Sequence, residues 1–184
     1  MKPIFLIGYM GSGKSTLGRV LSRQLCTEFI DLDAYIENRF HASVKDLFAK
    51  HGEAGFREIE HRMLREVCEF QNTVIACGGG TPCYSGNMEL MNEHGITVFL
   101  SVPVERLHAR LSRPRSKAKR PVIADKSDEE LLQFIASNLA MRERFYSQAE
   151  VTFDTTNIET AAETELTAAE LLRKLRTEGM IAND

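Results

Sequence analysis

The chain has no apolar run of membrane-spanning length. Its first apolar stretch, residues 4–7, falls far short of the roughly 20 residues a spanning helix needs. It runs directly into a glycine loop, so it reads as neither an anchor nor a secretory leader. Cysteine is scarce, with four in 184 residues, at Cys26, Cys68, Cys77 and Cys83. None forms a CxxC pair, and no histidine cluster lies near Cys77 and Cys83. That argues against zinc and for the reduced thiols of a cytosolic protein. An excess of one charge is also missing: 23 basic side chains face 26 acidic ones, for a formal charge of −3. Nothing global then draws the chain to nucleic acid or to an anionic membrane. A small anionic ligand must be gripped by a local group of arginines. There is no internal repeat, low-complexity tract or linker, so residues 1–184 read as one domain. No oversized apolar stripe demands a partner, and a monomer is the default.

What is present is alternation. Short apolar runs at residues 3–7, 29–32, 73–77, 96–102 and 151–154 read as strands. Between and after them lie stretches with helical spacing, at 17–25, 34–40, 44–50, 54–70, 88–93, 104–111, 127–148 and 161–177. Ser43 is a fitting N-cap and Gly52 a fitting stop. Pro103 suits the first turn of its helix. The order implies an α/β fold of three layers, with a five-stranded, mostly parallel sheet flanked by helices. Ligand sites in such folds gather at the carboxyl ends of the strands. Only residues 112–124 break the pattern. They carry two prolines and the basic side chains Arg113, Arg115, Lys117, Lys119 and Arg120, and read as a mobile, positively charged loop.

Gly8-Tyr9-Met10-Gly11-Ser12-Gly13-Lys14-Ser15 matches GxxxxGK[ST] between a strand and a helix, the context that motif requires. Its glycines let backbone N–H groups curl toward phosphate, and the following helix adds its N-terminal dipole. Lys14 is placed to reach the β- and γ-phosphates, and the Ser15 hydroxyl to ligate Mg²⁺. Kinases and GTPases share this loop, but no NKxD run for guanine selection follows. Met10 reads as filling a packing gap.

Phe29-Ile30-Asp31-Leu32-Asp33 sets two carboxylates two residues apart at a strand end. Strand alternation predicts that both point to one side while Leu32 faces the core. Asp31 is suited to order Mg²⁺ or its water shell. Asp33 is suited to accept a hydrogen bond, and then a proton, from a substrate hydroxyl; the plainer alternative is that it caps the helix at 34–40. Arg57 stands near a helix N-terminus, where the dipole gives a cation nothing, so it faces either solvent or an anion. Gly78-Gly79-Gly80 marks either a tight turn or a close approach of ligand to backbone. The basic segment is either a solvated loop or a lid whose arginines close on a transferring phosphoryl group. Arg142 lies four residues before Tyr146, on the same helix face. The histidines form no recognisable catalytic triad.

These motifs, in this order, resemble the shikimate kinases, small members of the nucleoside-monophosphate-kinase-like P-loop fold. The likeness rests on GYMGSGKSTLG, FIDLD with an IE pair soon after, GEAGFREIE, the glycines at 78–80, RPVI, and the arginine four residues before a tyrosine. It runs from about Pro3 to Asp154. The resemblance implies that Gly11, Ser12, Gly13, Lys14, Ser15 and Thr16 hold ATP, with Mg²⁺ at Ser15 and, through water, Asp31. It implies that Asp33 binds shikimate and orients or deprotonates the attacking hydroxyl. Arg57, Arg142 and the backbone of Gly79 and Gly80 would hold the same ligand. Arg120 would reach the transferred phosphate, and Arg113 would lie over the adenine. Residues 33–62 would form the substrate-binding region and 112–124 the lid. Ala42-Ser43, Pro82-Cys83 and the lysines at 117 and 119 depart from the family's pattern without removing a contact. Gluconate, another hydroxylated carboxylate, is the nearest rival substrate. A regulatory nucleotide switch is the rival of a different class.

Overall fold

The computed structural model describes residues 1–84, 86–118 and 120–182. Strand β1 (Ile4–Ile7) is buried along its whole length. Phe5 and Ile7 point into one core cluster, and Ile4 and Leu6 into another. A strand's side chains alternate between faces. Because helices cover both faces here, the alternation is written in the sequence as an unbroken apolar run.

Around β1 stand β2 (Glu28–Asp31), β3 (Thr73–Ala76), β4 (Ile96–Ser101) and β5 (Val151–Asp154). Their order is β2-β3-β1-β4-β5, and every pairing is parallel. Leu6 pairs with Ala76 on one side and Val98 on the other. The chain therefore leaves β1 and β3 side by side, at the same edge of the sheet. The phosphate loop and the glycine run follow those two strands.

One face of the sheet is covered by α1 (Lys14–Gln24) and α9 (Ala161–Thr177), through Leu17, Leu21, Leu171 and Leu175. The other carries α2 (Leu32–Phe40), α3 (Val44–Cys68), α4 (Asn87–His94), α5 (Val104–Leu111) and α8 (Asp128–Tyr146). Each fully buried Leu, Ile or Phe in these clusters stabilises the fold by roughly 1.5–3 kcal/mol. Ser43 caps α3 by accepting from the Asp46 N–H, as its position predicts. Ser127 with Glu130 and Thr160 with Glu163 form reciprocal capping boxes on α8 and α9, which fix both helix starts.

One local expectation on α3 holds, and two elsewhere need correction. Gly52 does stop the first helical run: at φ 67° and ψ −178° it is non-helical and kinks α3, which resumes beyond it and runs to Cys68. Pro103 is the N-cap of α5, at ψ 148°, and lies outside its first turn. The described residues of 112–124 are not irregular. They fold as two short helices, α6 (Pro114–Ala118) and α7 (Pro121–Ala124). Each opens on a proline, whose fixed φ suits a first turn and whose missing N–H costs nothing there. Ile123 is fully buried and anchors α7 to the main core. Lys119 lies outside the described residues. Among the described residues, no helix is long and apolar enough to cross a membrane.

Candidate active site

A cavity of about 440 Å³ opens at the carboxyl edge of the sheet. Its floor is the loop between β1 and α1. Gly8 has φ 138°, and a side chain there would stand 2.8 Å from the Leu100 carbonyl oxygen. Gly13, at φ 95°, lies against Ile158, and any Cβ would overlap that side chain. The loop is thus curled by its glycines and roofed by the segment after β5. Gly11, Gly13, Lys14, Ser15 and Thr16 line the cavity, as does Met10, beyond the packing role its sequence implied. Ser12 does not: it is buried, and its carbonyl accepts from Thr155 Oγ1 at 3.0 Å.

Lys14 Nζ donates to the Gly8 carbonyl at 2.8 Å and the Tyr9 carbonyl at 2.9 Å. Burial lowers its pKa to about 8, with the nearby Asp33 pulling the other way. No ion pair among the described residues involves this ammonium. A cation held by neutral carbonyls in a cavity fits a polyphosphate. Next to it, Ser15 Oγ donates to Asp31 Oδ2 at 2.6 Å. A hydroxyl and a carboxylate in contact are hard oxygen donors, the type Mg²⁺ takes when most of its shell is water and phosphate. Both residues line the cavity, so the donor set fits that ion.

The two aspartates reach the cavity by a route other than strand alternation. Strand β2 ends at Asp31, which becomes the N-cap of α2 and accepts from the Ala34 N–H. Asp33 sits in the first turn of that helix. The capping role weighed for Asp33 therefore belongs to Asp31. Both line the cavity, while Leu32 is fully buried. Burial raises the Asp33 pKa to about 6, and the carboxylates of Asp31 and Glu60 raise it further than Lys14 lowers it.

Each of the three glycines after β3 leaves room for a different polar side chain. A Cβ at position 78 would stand 3.1 Å from Asp33 Oδ1. At position 79 it would meet Arg142 Nη1 at 3.4 Å, the Met10 N at 3.4 Å and the Gly8 carbonyl oxygen at 3.5 Å. At position 80 it would meet Arg57 Nη2 at 2.7 Å. Gly78 and Gly79 line the cavity; Gly80, Arg57 and Arg142 do not, and the arginines flank the turn just beyond the cavity wall. Arg57 is turned from solvent toward an anion, which in the protein itself is Glu60. Its Nη1 donates to Glu60 Oε2 at 2.7 Å, and its guanidinium lies 4.3 Å from the Tyr84 ring centroid. Glu60 is buried and also accepts from Thr81 Oγ1 at 2.6 Å, so one carboxylate holds both Arg57 and the turn. The sequence reading missed Glu60, although its i, i+3 spacing from Arg57 was visible.

Arg113 and Arg120 both line the cavity. Arg120 Nη1 donates to the Ser116 carbonyl at 3.0 Å, within the basic segment. Arg113 pairs with Glu159 Oε2 at 2.6 Å. Arg110, also missed, is buried. It donates to Glu159 Oε1 at 2.8 Å and to the carbonyls of Gly11 at 3.0 Å and Thr155 at 2.9 Å. It ties the phosphate loop to the segment after β5. Nothing in its sequence surroundings distinguishes it from the other basic residues nearby.

A family model for shikimate kinase matches residues 10–176. The chain belongs to the shikimate kinase family. It is similar to the shikimate kinase of Phocaeicola vulgatus, at 49% identity over 175 residues, covering 95% of this chain and 99% of that one. It is also similar to the crystal structure of the Bacteroides thetaiotaomicron shikimate kinase, with TM-score 0.88, 46% identity, and 95% and 98% of the two chains covered. The Acinetobacter baumannii shikimate kinase, solved in complex with shikimate, matches with TM-score 0.81, 32% identity, and 98% and 96% coverage. The fold and the family drawn from the motifs are thereby established, and ATP is the nucleotide that goes with the shikimate kinase fold.

Proposed function

We propose that this chain transfers the γ-phosphate of ATP, with Mg²⁺, to the 3-hydroxyl of shikimate. The observation that carries the reading is the glycine turn. Asp33, Arg142 and Arg57 are set against three consecutive glycines, and the middle one abuts the phosphate loop. A hydroxyl-binding carboxylate and two carboxylate-binding guanidinium groups are thus gathered around one short turn, beside a phosphate cradle. An acceptor with ring hydroxyls and a carboxylate matches that set, since guanidinium binds carboxylate through a planar fork.

In this reading the loop amides and Lys14 hold the polyphosphate, and Arg113 lies against the base. Ser15 holds Mg²⁺ directly and Asp31 through water; the ion neutralises charge on the β- and γ-oxygens. Asp33 accepts a hydrogen bond from the attacking hydroxyl and orients it for in-line transfer. Its raised pKa brings its basicity nearer to neutral than an ordinary carboxylate, which favours proton acceptance as the bond forms. Arg57 and Arg142 hold the shikimate carboxylate, with Gly79 and Gly80 backbone against the same ligand. Arg120 stabilises charge on the transferring group. Residues 112–124 act as a lid that excludes water, and residues 33–62 as the acceptor-binding region. The protein works as a monomer in the cytosol.

The test is a coupled ATPase assay with shikimate, gluconate and nucleoside monophosphates as acceptors. Turnover that depends on shikimate alone is expected. Turnover with gluconate instead, or none with any acceptor, would discard the substrate assignment.

A further inference from the structure

Tyr146 ends α8, one turn after Arg142, and is fully buried. Its ring stacks on Phe99 of β4, with centroids 5.1 Å apart and planes inclined by 26°. Its hydroxyl donates to the Gly79 carbonyl at 2.5 Å. A buried tyrosine needs a partner for its O–H. This one has taken the middle glycine of the turn. Burial pushes the phenol well above its ordinary range, and the Arg142 guanidinium beside it offsets only part of that. The group therefore stays a donor.

Gly79 is where the two halves of the site meet: a side chain there would meet the Met10 N, the Gly8 carbonyl and Arg142 Nη1. Glycine has no side chain to anchor it and loses more conformational freedom on ordering than any other residue. The far end of the turn is pinned at Thr81, by Glu60 through its hydroxyl and by Asn87 Nδ2 through its carbonyl. The near end is pinned by Tyr146. Arg142 is clasped between these parts, its guanidinium 5.5 Å from the ring centroid of Tyr9 in the phosphate loop.

We propose that Tyr146 is a positioning residue for phosphoryl transfer: by holding the Gly79 carbonyl, it sets the gap between the phosphate loop and the turn beside which Arg142 binds the acceptor. The proposal rests on the reading of Arg142 as a carboxylate ligand.

The test compares Tyr146→Phe, which removes only the hydroxyl, with Phe99→Leu, which removes the stacked ring and keeps the Tyr146 hydroxyl. Tyr146→Phe should raise KM for shikimate about tenfold, the scale of one buried hydrogen bond. KM for ATP should stay within about twofold of wild type. The thermal shift that shikimate induces should shrink in parallel. Phe99→Leu should lower Tm and leave KM for shikimate unchanged. In an Arg142→Ala background, adding Tyr146→Phe should cost little more, because the two act through one element. An equal rise of KM in Phe99→Leu would assign the effect to packing and overturn the proposal. A wild-type KM in Arg142→Ala would overturn the reading of Arg142 and the proposal with it. A raised KM there, with a wild-type KM in Tyr146→Phe, would overturn the proposal alone.

Discussion

The cradle at the proposed phosphate end is one uninterrupted stretch, with Gly8 to Thr16 supplying the curled backbone, the ammonium and the hydroxyl, while Asp31, Arg113 and Arg120 join it from elsewhere. The proposed acceptor end draws on four separate places: Asp33 on α2, Arg57 on α3, the glycines after β3, and Arg142 on α8. The first depends on local backbone geometry. The second depends on packing, because its groups meet only when three helices settle against one turn. Damage to the first should therefore fall on chemistry and nucleotide together. Damage to the second should fall on the acceptor and spare ATP.

Lys14→Ala should break the phosphate end most severely. Loss of its charge-stabilising contact should lower kcat by on the order of a thousandfold, with weaker binding of a fluorescent ADP analogue. Tight nucleotide binding in that variant would remove Lys14 from the cradle.

Asp33→Asn should lower kcat by about a hundredfold while raising stability. The sign follows from the folded-state pKa of about 6, above the ordinary carboxylate value of 3.8. A carboxyl with a raised pKa favours the fold below pH 4 and loses that contribution as pH rises through 6. At pH 7.5 the wild type therefore buries an ionised group that asparagine would not. Thermal melts should place the variant's Tm above wild type at pH 7.5, with the gap narrowing toward pH 4. A lower Tm at pH 7.5, or near-normal turnover, would contradict this account.

Arg57→Ala should raise KM for shikimate by about a hundredfold, the scale of losing a charged hydrogen-bonded pair, with KM for ATP nearly intact. An equal loss for ATP would erase the distinction between the two ends. Gly80→Ala tests the same side chain more gently, since the added methyl would sit 2.7 Å from Arg57 Nη2. A rise of about tenfold in KM for shikimate is expected, the cost of one weakened hydrogen bond. Smallest of all, Glu159→Gln should raise KM for ATP by about threefold, through looser Arg113 and Arg110. Shikimate kinetics should not change, and steady-state assays on both substrates would check it.

Much of this division could be read from the sequence. The phosphate loop carries its own context, a strand before and a helix after, so its curl and its lysine followed from spacing. The sheet was legible because apolar runs and helical periodicity alternate along the chain, broken only at 112–124. The basic segment's helices were not, because two elements of four and five residues leave no periodicity to detect. Asp31 and Asp33 were correctly placed on one cavity for an incorrect reason. A strand that turns into a helix at Asp31 brings both acids to the cavity, but as cap and first turn. Glu60 and Arg110 passed unnoticed because a buried charge looks like a surface charge until its partners are known.

The sequence alone determined the local objects: a glycine-curled anion cradle, inner strands apolar on both faces, and helices with their caps. Each depends on neighbours within a few residues, where backbone sterics and side-chain period act directly. Tertiary structure decided which polar groups share a ligand. Parallel β1 and β3 release their loops side by side, and only that adjacency sets Gly79 against the phosphate loop, with Arg57, Arg142 and Tyr146 arriving from distant helices. Contacts between residues this far apart in the chain follow from how the elements pack, which no local spacing encodes.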